Sequence, residues 1–301
     1  MIILMDDLTA YKKSVGIIAA FKLNIFDIIL KNNYIDEQIC MQYGYNFEYC
    51  QLLLRFLTDN KYLNYINDRW QLSQELSSQK DNLVHLEAII KHENNLVEKW
   101  LLPESIVSVI KGSTNHRTFD LQGFSNYERE CYDEAVYGKC SKVLALSLYR
   151  ILIKKSNIKF LEYGRRKGLL LENVKKYCKN IVYSDYIDFN ENINMKYDLI
   201  TCVNTIHYYN EDILIEKFSE LYRNLNDTGV LCITDMFYAS ENIFNSTLLL
   251  DWLTHGGIYN ITVDSIVNIL KRVGFSEIEC RYMINISSHM ILGKKFSGDK
   301  L

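Results

Sequence analysis

Apolar positions recur along this chain in two rhythms. Through the first 150 residues they return every three or four places, the spacing of one buried helix face. From Tyr11 to Leu30, the run Val15, Ile18, Ala19, Phe21, Leu23, Ile25, Phe26 predicts a helix followed by a second, short one. Tyr49, Leu52, Leu53, Phe56 and Leu57 fall at i, i+3, i+4, i+7 and i+8 and predict an amphipathic helix with these residues on its apolar face. Lys61 to Ile66 and Arg69 to Leu72 then flank Asn67-Asp68, a two-residue turn of hairpin type. Asn82 to Lys111 predicts more helix, interrupted at Pro103.

The second rhythm alternates short apolar runs with helical stretches. Strands are predicted at Ile158 to Tyr163, Ile181 to Asp185, Tyr197 to Asn204 and Val230 to Met236. Helices are predicted at Leu169 to Tyr177 and from Asn210 to near Leu225, the latter with Glu211 and Asp212 in its first turn, where the dipole favours anions. Strands with interposed helices imply a parallel sheet that takes ligands at its C-terminal strand ends. Arg281 to Ile286 and His289 to Lys294 predict two adjacent strands, an antiparallel edge.

Helix, turn, helix, hairpin is the order of a winged helix, which invites a DNA-binding reading. A recognition helix needs Arg, Lys, Asn or Gln toward the groove and cations for phosphates. The exposed face of the 49–57 helix offers Glu48, Gln51 and Arg55 only, so DNA is not expected as a partner and a packing and dimerisation module is. Composition narrows the picture a little more. At 48% hydrophobic and 24% charged residues with a net charge of -3, nothing calls for a polyanion or a membrane surface. No apolar stretch reaches the length of a bilayer span, and the start of the chain turns acidic at Asp6-Asp7, so a cytoplasmic protein is expected. The eight cysteines form no Cys-x-x-Cys pair and have no His at metal spacing, which predicts reduced, mostly buried thiols and no metal.

Candidate chemistry concentrates around Lys159 to Gly168. An apolar strand, the acid Glu162, and Gly164 and Gly168 four apart before a helix make the skeleton of a nucleotide-type turn. Its middle, Arg165-Arg166-Lys167, is cationic where side chains crowd a ligand. Asp185, twenty-one residues beyond Gly164, has the spacing of an acid that holds ribose hydroxyls. His92 and Glu93 are adjacent on a helix and point different ways, a solvated face rather than a dyad.

Taken in order, the winged helix, the helical linker, the strand-acid-x-Gly turn, Asp198 to His207, Glu216 to Leu225, Thr228 to Asp235, Gly256-Gly257 and Val273-Gly274-Phe275 resemble the small-molecule O-methyltransferases that use S-adenosylmethionine. The likeness runs over nearly the whole chain. It implies a winged-helix dimerisation domain over 1–112, a helical linker over 113–152 and a Rossmann-like α/β methyltransferase domain over 153–301. It further implies S-adenosylmethionine held by Glu162, Gly164, Arg165, Arg166, Gly168 and Asp185, His207 as the base that takes a hydroxyl proton, a second copy as partner, and an aromatic or polyketide-like natural product as substrate.

Departures from the family pattern fall on the same positions. Asp198 stands only thirteen residues beyond Asp185, too few for a helix and a strand, so one β/α unit is expected to be missing and the adenine side to lie open to solvent. Tyr259 stands where an acid usually follows the glycine pair, and Tyr208-Tyr209-Asn210 where an acid and a tryptophan are common. Three readings remain open: methyl transfer; a non-methylating relative doing elimination, hydroxylation or pericyclic chemistry; and a noncatalytic dimeric partner or regulator.

Overall fold

In a computed structural model of the chain, the residues described are 2–78, 88–91, 103–111, 125–152, 155–164, 170–237, 261–283 and 288–295. They belong to two compact units, Met1–Asn94 and Asn95–Leu301.

The first unit begins with helices α1 (Ile2–Lys22) and α2 (Ile25–Asn32), separated where Asn24 takes left-handed backbone, and continues with α3 (Glu37–Gln42) and α4 (Phe47–Asp59). Side-chain caps start the last two: Asp36 accepts from Ile39 N–H at 3.0 Å and Asn46 from Tyr49 N–H at 3.3 Å. Strands β1 (Leu63–Ile66) and β2 (Arg69–Leu72) pair antiparallel across Asn67 and Asp68, both left-handed at φ 50° and 57° as a type I′ hairpin turn requires. A short helix α5 (Gln74–Ser78) follows. The core of this unit gathers Ile25, Ile29, Leu54, Leu57, Leu63 and Trp70. One expectation is overturned: α4 buries Cys50, Leu54 and Leu57, while Tyr49 and Leu52 of the predicted apolar face are exposed at 69% and 62%. The inward stripe is therefore rotated from the one the periodicity suggests.

The first described element of the second unit is α6 (Pro103–Ile110), within the stretch expected to be helical. After α7 (Asn126–Asp133), a π-helical turn (Glu134–Gly138) and α8 (Lys139–Leu152) lead into β3 (Ile158–Gly164), α9 (Leu170–Tyr177), β4 (Ile181–Asp188) and β5 (Tyr197–Val203). Then come α10 (Glu211–Arg223), capped as expected by Asn210 on Ile213 N–H at 3.0 Å, β6 (Leu225–Asp235), α11 (Val263–Val273), β7 (Phe275–Met283) and β8 (Ser288–Lys295). The six strands form one sheet in the order β4-β3-β5-β6-β8-β7. The first four are parallel, and β8 pairs antiparallel with both β6 and β7, the expected antiparallel edge. Residues 189–196, between β4 and β5, form neither helix nor strand.

Each face of the sheet carries its own core. On one, Leu161, Tyr163, Ile200, Phe218, Ile233 and Ile269 pack together; on the other, Leu144, Leu148, Phe160, Val174, Leu199 and Cys232. Because β5 is buried on both faces it reads as one apolar run, the signature of a central parallel strand. Among the described residues no helix is long and apolar enough to cross a membrane.

Candidate functional site

The chain leaves β3 for β4 on one side and returns to β5 on the other, so the connections diverge between β3 and β5. In open α/β sheets the ligand crevice lies outside the strand ends at such a point. Around it stand Gly164 ending β3, Asp188 ending β4, Asn204 after β5, and Asp235 ending β6.

On the β5–β6 side the chemistry is polar. His207, in a 3₁₀ turn (Ile206–Tyr208), is 6% exposed, and its Nδ1 lies 2.7 Å from Oδ1 of Asp235, itself 1% exposed. The same carboxylate accepts the backbone amides of Thr205 and Ile206 at 3.1 and 3.0 Å on Oδ2 and of Met236 at 2.9 Å on Oδ1. A carboxylate that collects three amide hydrogens is held as an acceptor, so the hydrogen shared with the ring belongs on Nδ1 and Nε2 is the nitrogen on the far side of the ring. Next to this dyad Asn204 is in left-handed backbone, φ 45°. Its Nδ2 donates to the carbonyl of Val136, in the π-helical turn, at 3.2 Å, while its buried Oδ1 has no partner among the described residues.

On the β3–β4 side the chemistry is aromatic. Phe189, fully buried, stacks on Tyr209 at 4.1 Å between ring centroids and 18° between planes, and contacts Tyr163 at 5.2 Å. Lys217 Nζ lies 5.7 Å from the Phe189 ring centroid. Tyr163 donates its hydroxyl to the Phe189 carbonyl at 2.8 Å. Burial, reinforced by the charge of Glu220, pushes the Tyr163 phenol upward, so it stays a protonated donor at neutral pH. The segment is tied further by Phe189 N–H to Gly164 O at 2.7 Å and by Ile193 N–H to Glu220 Oε1 at 3.0 Å. The expectation of an open side is therefore reversed: the short connection folds inward, with Phe189 0% and Ile193 7% exposed.

The sequence-predicted residues separate. Glu162, 3% exposed, accepts Leu171 N–H at 3.1 Å and so holds the start of α9. Gly164 lies at the strand end and Tyr186 donates its hydroxyl to the Gly164 carbonyl at 3.2 Å. Asp185 is not at the end of β4: it pairs with Leu161, takes the Tyr186 amide at 2.8 Å and the Tyr183 hydroxyl at 3.2 Å, and the strand runs on to Asp188 opposite Gly164. Asp188 is three positions beyond Asp185, an odd step along a strand, so the two acids project from opposite faces. Arg165, Arg166 and Gly168 lie outside the described residues, as do Lys167, Trp252, Gly256, Gly257 and Tyr259. Sequence reasoning missed Asp235, Asp188, Asn204 and Phe189 as site residues; Asp235 meets His207 only through the pairing of β5 with β6, which leaves no local signal.

The thiols are mostly buried, as expected: seven cysteines are buried and Cys280 is exposed, and none of the eight is in a disulfide. Burial pushes Cys140 and Cys232 up to about 12, which leaves them protonated and unreactive at neutral pH.

No family model matches the sequence, and no curated protein matches it either. Among solved structures the fold is widely shared. The pyocyanin biosynthetic protein PhzM is similar at TM-score 0.78 and 14% identity, covering 97% of this chain and 98% of that one. PigF, solved with SAH, is similar at TM-score 0.75 and 16% identity, with 97% and 98% covered. Human N-acetylserotonin methyltransferase, solved in complex with SAM, is similar at TM-score 0.74 and 14% identity, with 98% and 97% covered. The chain shares the fold of these three proteins over nearly its whole length.

Proposed function

We propose that this chain, having the fold of the S-adenosylmethionine-dependent O-methyltransferases, is a small-molecule enzyme of that family in which His207 takes a proton from a substrate hydroxyl. The observation that carries the reading is the buried His207–Asp235 pair at a strand end beside the ligand crevice. Asp235 fixes the ring through Nδ1 and balances the imidazolium that forms when Nε2 accepts the proton. Asn204 Oδ1, an acceptor without a partner among the described residues, suits a hydroxyl or amine donor on the same ligand. A hydroxylated aromatic or polyketide-like natural product fits these groups.

The group the fold implies, S-adenosylmethionine, does not fit the described residues. Phe189 and Tyr209 stack at the β3–β4 strand ends, and the Phe189 amide is tied to the Gly164 carbonyl, where the cofactor's flat base would need room. The chemistry assigned to the chain is therefore the proton removal its own side chains perform, and a non-methylating relative is the form that suits it best. Methyl transfer is the second reading, favoured by the neighbours named as methyltransferases.

The test is optical. Phenols and hydroxylated polyketides that stabilise the protein in a thermal-shift screen should show a growing phenolate absorbance band on binding wild type and none on binding His207→Gln. Phenols that bind both proteins equally and stay protonated on both would remove His207 from the chemistry.

Further parts of the reading concern architecture. The helix-turn-helix-hairpin order of the first unit is that of a winged helix serving dimerisation, and the loop at 189–196 stands where a seven-stranded relative has a β/α unit. Met41, Tyr49, Leu52, Tyr65 and Ile66 are exposed on the first unit, and apolar residues in such number suit a partner copy. Light scattering should find a dimer for wild type and a monomer for Leu52→Glu; a wild-type monomer at micromolar concentration would refute the dimer. Eight cysteines without a disulfide suit a reducing, cytoplasmic setting.

A further inference from the structure

We infer that the crevice in which this fold would seat a planar nucleoside is closed by the chain's own aromatic plug, Phe189 stacked on Tyr209 and fastened through Tyr163. Among the described residues the β3–β4 side of the crevice thus offers a nucleoside no seat, and this follows from the plug itself, whatever the cationic loop does. The inference goes beyond the proton-accepting role of His207, which requires no nucleoside.

Position comes first. Phe189 follows β4 directly and Tyr209 follows the turn after β5, so the two rings meet across the point where the strand connections diverge, beside Gly164. A separation of 4.1 Å with planes 18° apart is the geometry a base adopts on an aromatic side chain, and here both partners come from the chain. Burial comes second, since Phe189 and Tyr163 are both 0% exposed. No space remains at that ring for a second planar group.

Fastening comes third. The loop that carries Phe189 is tied by its amide to the Gly164 carbonyl, by its carbonyl to the Tyr163 hydroxyl, by Asn190 N–H to Asp188 Oδ1 at 2.9 Å, and by Ile193 N–H to Glu220. Glu220 in turn pairs with Lys217 at 3.5 Å, and Lys217 lies over the Phe189 ring. A ring held from this many sides is packed core rather than a gate. The segment is too short for a helix and strand that could wall a ligand, and the chain fills the space instead.

The plug has a converse. Removing the Phe189 ring should leave an apolar space lined by Tyr163 and Tyr209, and apolar cavities of that kind stay dry and accept small aromatic molecules. Wild type, Phe189→Ala and Tyr163→Phe would be titrated calorimetrically with adenosine, S-adenosylmethionine and S-adenosylhomocysteine. Wild type should give no saturable heat below about 1 mM, and Phe189→Ala should bind adenosine at least tenfold more tightly than wild type. Micromolar binding of any of the three by wild type overturns the plug. So does a folded Phe189→Ala, judged by circular dichroism and melting, that binds no better than wild type. Should Phe189→Ala not fold, amide exchange in Tyr163→Phe decides: exchange at residues 189–193 should quicken several-fold while that of β5 is unchanged, and unchanged exchange at 189–193 overturns the plug. Phenolate formation at His207 is a separate readout, so the failure of one reading leaves the other standing.

Discussion

The two sides of the strand-end crevice are solid in different ways. Beside β5 and β6, atoms are held by charge and hydrogen bonds, with one carboxylate, Asp235, gathering His207 and three amides. Beside β3 and β4 they are held chiefly by shape, with Phe189, Tyr209 and Tyr163 filling space. Shape-filled regions tolerate replacement by groups of similar volume, whereas a buried charge tolerates the loss of none of its partners. The difference teaches how each side answers change: losing one partner on the polar side strands the others, whereas the apolar side accepts another group of similar shape.

The largest effect should come from Asp235→Ala. It strands three amides and a buried imidazole, and should lower stability by about 3–5 kcal/mol in urea denaturation. A loss below about 1 kcal/mol would show that the polar side is no more demanding than the apolar one. Next is Tyr163→Phe, which keeps the ring but deprives the Phe189 carbonyl of its donor; about 1–3 kcal/mol is expected by the same measurement. Phe189→Leu, which preserves most of the apolar volume, should cost less, about 1.5 kcal/mol or below. Were Phe189→Leu to cost more than Asp235→Ala, the contrast would be reversed.

The smallest effect is one of pH. His289 pairs in register with Asp235 and lies against Phe237 and Tyr282, and burial lowers its pKa below 6.5. The folded state therefore binds a proton less readily than the unfolded state, so stability falls as pH drops below about 6.5 toward the depressed value. His289→Gln should flatten that part of the stability curve. A curve of unchanged slope between pH 6.5 and 5 would clear His289 of the effect.

Much of this was readable in the chain beforehand, for reasons that differ from residue to residue. The run Leu199 to Val203 announces a central strand because both of its faces are buried, and Asn210 with Glu211 and Asp212 announces a helix start because capping is local chemistry. His207 could be singled out by its place in the order of motifs. Its clasp by Asp235, 28 residues on, could not, since that contact exists only once β5 and β6 are paired. Asp185 and Asp188 look alike on paper, and only the register against Gly164 tells which ends the strand. The 189–196 segment shows why a length argument is incomplete: it foretold too little chain for a helix and strand, yet could not foretell that Phe189 would turn inward. The π-helical turn at Glu134–Gly138 left no mark in the periodicity, because one extra residue in a helix changes register rather than composition.

The order in which strands join the sheet has a consequence for biosynthesis. β7 reaches the sheet only through β8, which lies between it and β6. On a ribosome that emits residues from the amino-terminal end, β6 therefore waits with a bare edge, and β7 without a neighbour, until Ser288–Lys295 has emerged. At about 5–20 residues per second that interval lasts a few seconds for the fifty or so residues between them. During it the nascent chain offers one open edge of Leu231 to Thr234, the other being paired with β5, to any other polypeptide nearby, which makes this the stage at which a chaperone would have most to do.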